Sequence, residues 1–235
     1  MSQQSSRDRK IPATKRAPAQ TRAEPEAPPP PAGLRERKKQ ATRLAISDVA
    51  TRLFIERGFD RVTVAEVAEA AGVSVNTIFN YFATKEDLFF DRGEEVGGEP
   101  ARMVRARRPG EPVLAALERG LREKGATSAY EGARVLPFLA TIEASPALKA
   151  RERALFDRSE ELLADALREA VGAPGDDPAP RIIAALITAL EWTIIREHRA
   201  RLLRGEPDKK IRAALGRMAK RGFALLRDGV GSFGA

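Results

Sequence analysis

Residues 71–88 read AGVSVNTIFNYFATKEDL, and the spacing within them decides the fold. Ser74 stands where a hydroxyl caps a helix start, and Ile78 and Phe82 lie four residues apart, on one face of that helix. Thr84 with Asp87 three residues on is a second start, of the capping-box kind, in which side chain and backbone cap each other. Upstream, Thr63 and Glu66 repeat the device, and Ala71-Gly72 ends the short helix they open. The spacing therefore predicts one helix from Thr63 to Ala71, one from Ser74 through Phe82 and one from Thr84 towards Val96. Further upstream, Ile46, Ala50, Leu53 and Phe54 form one apolar stripe on a helix expected from Arg35 to Arg57 and stopped at Gly58.

Two short helices separated by three residues suggest a helix-turn-helix, whose second helix enters the major groove of DNA. Its packing has specific needs. Ala68 is small enough for the helices to approach, Gly72 turns the chain where a side chain would obstruct, and Val73 and Ile78 plug the gap between them. The run from Leu53-Phe54-Ile55-Glu56-Arg57-Gly58-Phe59, through Thr63-Val64-Ala65-Glu66-Val67-Ala68 and Ala71-Gly72-Val73-Ser74, to Tyr81-Phe82 and Thr84-Lys85-Glu86-Asp87-Leu88 resembles the tetracycline-repressor-like (TetR) family of bacterial transcription regulators. The resemblance implies an all-α fold: an N-terminal helix-turn-helix DNA-binding domain of three or four helices, then a C-terminal helical ligand-binding and dimerisation domain. Two positions depart from the family's usual pattern. Phe79 stands where tyrosine is frequent, and Ala83 where proline or a basic residue is common.

On the central helix Ile78 and Phe82 are expected to pack on Leu53, Phe54 and Leu88, leaving Val75, Asn76, Phe79 and Asn80 pointing outward to meet base edges. Asparagine pairs bidentately with adenine, whereas valine and phenylalanine offer apolar surface to a thymine methyl. The helix carries no arginine or lysine, which predicts weak direct reading of guanine and a site rich in A·T at the contacted steps. The resemblance implies backbone phosphate contacts from Thr63, Ser74, Tyr81 and Lys85, with Thr42 beside them. The physics agrees for Lys85 and Thr84, which stand at a helix N-terminus where free N–H groups favour an anion.

The chain has 235 residues, 43% hydrophobic and 31% charged, enough to bury a substantial core. Without cysteine there is no disulfide framework and no thiolate chemistry. The formal net charge of +8 favours an anionic partner, but it is unevenly placed. Residues 1–33 carry six basic and three acidic groups, residues 34–92 carry ten and nine, and the remainder 25 and 21. A nearly neutral DNA-binding unit has to act through local placement of charge. Residues 1–33, rich in proline, alanine and charge, read as a disordered basic tail. Residues 34–96 form the expected DNA-binding domain, and a break at Gly97, Gly98 and Pro100, with the loop-like RMVRARRPGEP after it, opens a second domain over 97–235. No apolar run approaches the roughly 20 residues of a spanning helix, and the expected location is the cytoplasm, with no membrane partner.

In the second half, helices are expected at 112–123, 133–143, 146–170, 180–204 and 209–227. Between Ile182 and Ile195 only Glu191 is charged, so that helix is apolar all round and needs cover on every side. A two-fold dimer supplies it, with the last two helices meeting their copies in a four-helix bundle through Ile183, Leu186, Ile187, Leu190, Ile194, Leu215 and Met218. A central core helix in a monomer is the competing reading. By resemblance, a small-molecule effector enters the C-terminal core and shifts the dimer away from the shape that fits a palindromic operator. Tyr130, Phe138 and Leu139, with Leu136, and Phe156, Leu163 and Trp192 are the candidate apolar lining, and Arg134, Glu143 and Glu191 the polar anchors. His198, among Arg196, Arg199 and Arg201, is expected on a solvated face.

No cofactor or metal site is expected. One histidine, no cysteine, no phosphate loop and no Gly-x-Ser-x-Gly argue against an enzyme. The reading that follows is a homodimeric, ligand-responsive regulator, a repressor in the first instance. The alternative is an architectural DNA-binding protein with the same fold and no small ligand.

Overall fold

A computed structural model describes residues 33–91, 97–127 and 135–229, and every regular element among them is helical. Helix α1 spans Leu34–Arg57, and a 3-10 turn at Phe59–Arg61 leads into α2 (Val64–Ala70), α3 (Val75–Phe79) and α4 (Lys85–Phe89). The second half contains α5 (Glu99–Arg105), α6 (Val113–Thr127), α7 (Leu136–Ala144), α8 (Pro146–Val171), α9 (Ala179–Leu203) and α10 (Asp208–Asp228). The expected tail lies almost wholly outside the described residues.

The predicted caps are in place. Thr63 Oγ1 accepts the Glu66 amide at 3.2 Å while Glu66 accepts the Thr63 amide at 2.8 Å. Thr84 and Asp87 make the same reciprocal pair at 3.2 and 3.0 Å. Ser74 Oγ accepts the Thr77 amide at 3.0 Å. Gly72 sits at φ +66, which a β-carbon disfavours, and lets Val73 donate back to the Ala68 carbonyl at 3.0 Å, closing the turn between α2 and α3. Helix α3 ends at Phe79, not Phe82, although Tyr81 and Phe82 still donate to the Ile78 carbonyl at 2.9 Å. Helix α4 likewise stops at Phe89, short of the expected run towards Val96, and the stretch read as loop-like after Pro100 begins as helix α5, with Pro100 in its first turn and Ala101 and Val104 buried. Its arginines conceal the period, because Arg102 and Arg105 face outward while the small apolar residues between them pack inward.

Two large cores hold the helices, with a third, small cluster of Leu139, Leu202 and Ile211 among α7, α9 and α10. Phe54, Phe59, Ile78, Phe82 and Leu88 fill the first, with the Phe54 and Phe59 rings 4.9 Å apart. Ile142 and Leu148, from α7 and α8, complete it from the second half of the chain. Val104, Leu117, Leu163, Ile187 and Phe223 centre the second. Each such side chain contributes about 1.5–3 kcal/mol by leaving water. Helix α10 lies close against α9 because Gly222 leaves room for Leu190, where a β-carbon would overlap its methyl groups.

Candidate nucleic-acid interface and its link to the effector region

The two faces of α3 separate as its spacing requires. Ile78 is 1% and Phe82 2% exposed, whereas Val75 is 39% and Phe79 52% exposed, and Asn76 and Asn80 are exposed beside them. Val75 and Phe79 lie four residues apart on that face, so together they form a small exposed apolar patch. The outer face thus offers two carboxamides and two apolar groups, and no charge.

The groups expected at phosphates are placed more variously. Ser74 Oγ and Thr77 Oγ1 lie 2.8 Å apart, and since one hydroxyl hydrogen makes that contact, the pair keeps one to donate elsewhere. The Thr63 hydroxyl donates to Glu66 at 2.9 Å, so its hydrogen is committed to the cap. Glu66 also meets Arg57, and the Thr63 amide, Arg57 and the Thr63 hydroxyl together hold its carboxyl down at about 2. Thr42 is half-buried on α1 and donates back to the Lys38 carbonyl at 3.0 Å. Tyr81 is half-buried against the first core. Lys85 is the surprise. Its ammonium turns inward to donate to the Phe59 carbonyl at 2.6 Å and lies 4.2 Å from the Phe59 ring centre. Burial there pushes its pKa below the ordinary value. Two of its three hydrogens are not spent on that bond.

Three contacts, unanticipated in the sequence, join this unit to the helices behind it. Ser145, the cap of α8, donates to Asp60 at 2.8 Å. Arg151, on the second turn of α8, pairs with Asp87 of α4 at 2.7 Å. The Phe89 and Phe138 rings stack at 4.3 Å with 9° between their planes. Their residues stand far apart in sequence and carry no local signature, Ser145-Pro146 apart, which marks the helix start alone.

The apolar residues proposed to line an effector pocket do not converge. Phe138 belongs to the Phe89 stack, Leu139 packs with Leu202 and Ile211, Leu163 is sealed in the second core, and Tyr130 and Arg134 lie outside the described residues. Among the described residues Phe156 and Trp192 meet, edge to face at 4.3 Å, while Leu136 and Phe138 pack with Leu139 in its separate cluster. Trp192 and Glu143 instead border a cavity of about 380 Å³ between α7, α8 and α9 whose walls are largely charged. There Arg199, 9% exposed, binds Glu152 at 2.6 Å and Glu143 at 3.0 Å. Burial opposes its charge, but the two carboxylates outweigh it and raise the guanidinium pKa. The expected solvated face around His198 is therefore corrected: Arg199 is buried, and burial lowers the half-buried His198, against the pull of Asp208.

The expected dimer face also divides. Ile187 is 1% exposed and belongs to the protomer's own core, and Leu190 packs on Gly222. Ile194, Leu215 and Met218 are half-buried. Ile182, Ile183 and Leu186 are open, at 57, 44 and 52%. Among the described residues no helix is long and apolar enough to cross a membrane, and no group of three or more acidic or histidine side chains is placed to hold a metal.

Residues 46–91 match the family model for bacterial regulatory proteins of the tetR family. The transcriptional regulator TcmR of Streptomyces glaucescens is 30% identical over 185 residues, covering 75% of this chain and 80% of TcmR. AcrR of Shigella flexneri is 37% identical over 81 residues, 33% of this chain and 38% of AcrR. Among solved structures, a TetR-family regulator from Mesorhizobium loti superposes with a TM-score of 0.51 at 20% identity, covering 81% of this chain and 97% of that one. SmeT in complex with triclosan gives 0.52 at 19%, covering 83% and 97%. A helix-turn-helix with an uncharged, half-exposed reading face, joined to a helical C-terminal domain and matched along most of a known regulator, makes this chain a member of the TetR family of DNA-binding transcriptional regulators.

Proposed function

We propose that the chain is a homodimeric, effector-responsive repressor that reads a palindromic operator in the cytoplasm, with residues 34–96 as the reading unit and 97–235 as the dimerising and sensing unit. The observation that carries the DNA-reading half is the outer face of α3, where Asn76 and Asn80 flank the half-exposed Phe79. The carboxamides pair with adenine edges, and Val75 and Phe79 lie against thymine methyls. Ser74, which shares a spare hydroxyl hydrogen with Thr77, Tyr81 and the two hydrogens of Lys85 not spent on Phe59 hold the flanking phosphates, and Thr63 and Thr42 exchange their internal hydrogen bonds for phosphate oxygens.

The open stripe of Ile182, Ile183 and Leu186 supports a second copy of this chain as the dimer partner. It continues into a shallow apolar groove of about 260 Å³ bordered by Leu114, Leu167 and Val171. Two reading helices on such a dimer engage half-sites about 34 Å apart. Selection of bound fragments from a random DNA pool tests the reading. The expected product is a palindrome with A·T pairs at the contacted steps and half-sites about one helical turn apart. Sequence-independent recovery refutes it and favours the architectural alternative.

A further inference from the structure

The cavity between α7, α8 and α9 is chemically unlike the apolar pocket the sequence suggested. Its carboxylates are already neutralised: Arg199 holds Glu152 and Glu143, and Lys149 holds Glu143 from the other side at 3.2 Å. Arg153 and Arg196 also border it, are exposed, and make no ion pair among the described residues. Two positive charges thus remain unspent beside a half-buried indole, Trp192, steadied by Phe156. Ala200 and Leu203 continue the apolar surface along α9. The volume suits a small organic molecule.

We propose that this cavity binds an organic anion with a flat apolar body, its charge held by Arg153 and Arg196 and its body lying on Trp192. The inference rests on the effector-responsive reading above and gives that effector a place and a chemistry. The position fits the task. Lys149, Glu152 and Arg153 lie on the same turns of α8 as Arg151, which grips Asp87, and Glu143 stands two residues before Ser145, which grips Asp60. An anion that draws Arg153 and Arg196 together displaces the first turns of α8, and with them both polar grips on the reading unit.

The test uses the full chain and two probes: 8-anilinonaphthalene-1-sulfonate, an anion, and N-phenyl-1-naphthylamine, its neutral counterpart. Trp192 is the single tryptophan, so energy transfer from it to the probe reports binding in its neighbourhood. Saturable binding of one sulfonate per chain is expected, with the neutral probe about tenfold or more weaker. Arg153→Gln and Arg196→Gln are each expected to weaken the sulfonate about tenfold, the scale of one charged hydrogen bond. Equal affinity for both probes overturns the proposal. So does unchanged affinity in both variants, or loss in Leu186→Ser instead, which places the probe on the open α9 stripe. Operator affinity is then measured with and without saturating sulfonate. A fall supports the link to DNA release. Arginine-dependent binding with unchanged operator affinity keeps the anion site and refutes the effector-responsive reading.

Discussion

Leu186 and Ile187 are neighbours on α9 in opposite surroundings, and substituting each in turn tests association apart from folding. Leu186 is 52% exposed in the single chain, so a partner stands to bury the remaining half of its surface. Full burial of such a side chain contributes about 1.5–3 kcal/mol, so half is about 1 kcal/mol, and the two-fold counts it twice, giving about 2 kcal/mol per dimer. Leu186→Ala is therefore expected to raise the dimer dissociation constant roughly thirtyfold. Leu186→Glu adds a poorly solvated carboxylate at each copy, about 2 kcal/mol more in total, for roughly a thousandfold. The thermal midpoint extrapolated to low protein concentration should move little. Ile187, 1% exposed, behaves in reverse: Ile187→Ala leaves a cavity beside Leu163 and Phe223 and lowers stability by about 2–4 kcal/mol with the association constant intact. Sedimentation over a dilution series and thermal melts at fixed concentration read the two effects. A Leu186→Glu chain that sediments as dimer across the whole series refutes the stripe as the dimer face. So does an Ile187→Ala chain that dissociates while melting normally.

Further outcomes follow from the reading unit. Asn80→Ala should relax preference at one base pair by about 1–3 kcal/mol while sparing binding to other sequences, as read by competition with single-base operator variants. Lys85→Ala should weaken binding to all sequences alike and lower the salt slope by about one, measured from affinity against salt concentration. Glu66, held at about 2 against an ordinary 4.5, has a depressed folded-state pKa, so its contribution is complete above about 4.5 and is lost as pH falls towards 2. The melting gap between the unaltered chain and Glu66→Gln should accordingly be open at pH 7 and close over that window. Arg151→Ala should leave operator affinity nearly unchanged but blunt its response to the sulfonate, in the same competition measured with and without probe.

What the sequence disclosed was local. The capping boxes at Thr63 and Thr84, the Ser74 cap and the inward pair Ile78 and Phe82 all depend on residues three or four apart, and all are present. Lys85 shows where that reading ends. Its inward turn depends on the Phe59 carbonyl, 26 residues away, and on a ring that only the folded core brings beneath it. Helix α9 shows a different limit. A helix apolar all round carries no gradient to say which side meets its own protomer, so Ile183 and Ile187 look alike in sequence and differ fortyfold in exposure. The charged cavity stayed hidden for a third reason. Glu143, Glu152 and Arg199 come from three helices, and each alone resembles an ordinary solvated charge.

Ile142 and Leu148 sit in the core of the reading unit although they belong to the far half of the chain. A head severed at residue 96 would lose them, along with the ring stacked on Phe89, and would expose a wet gap where they had been. Swapping such heads between relatives, to give an old sensor a new address on the chromosome, should therefore succeed only when α7 and the opening of α8 travel with the graft. The helix-turn-helix and the opening of α8 form one packed block, and changes in either are constrained by the seam they share.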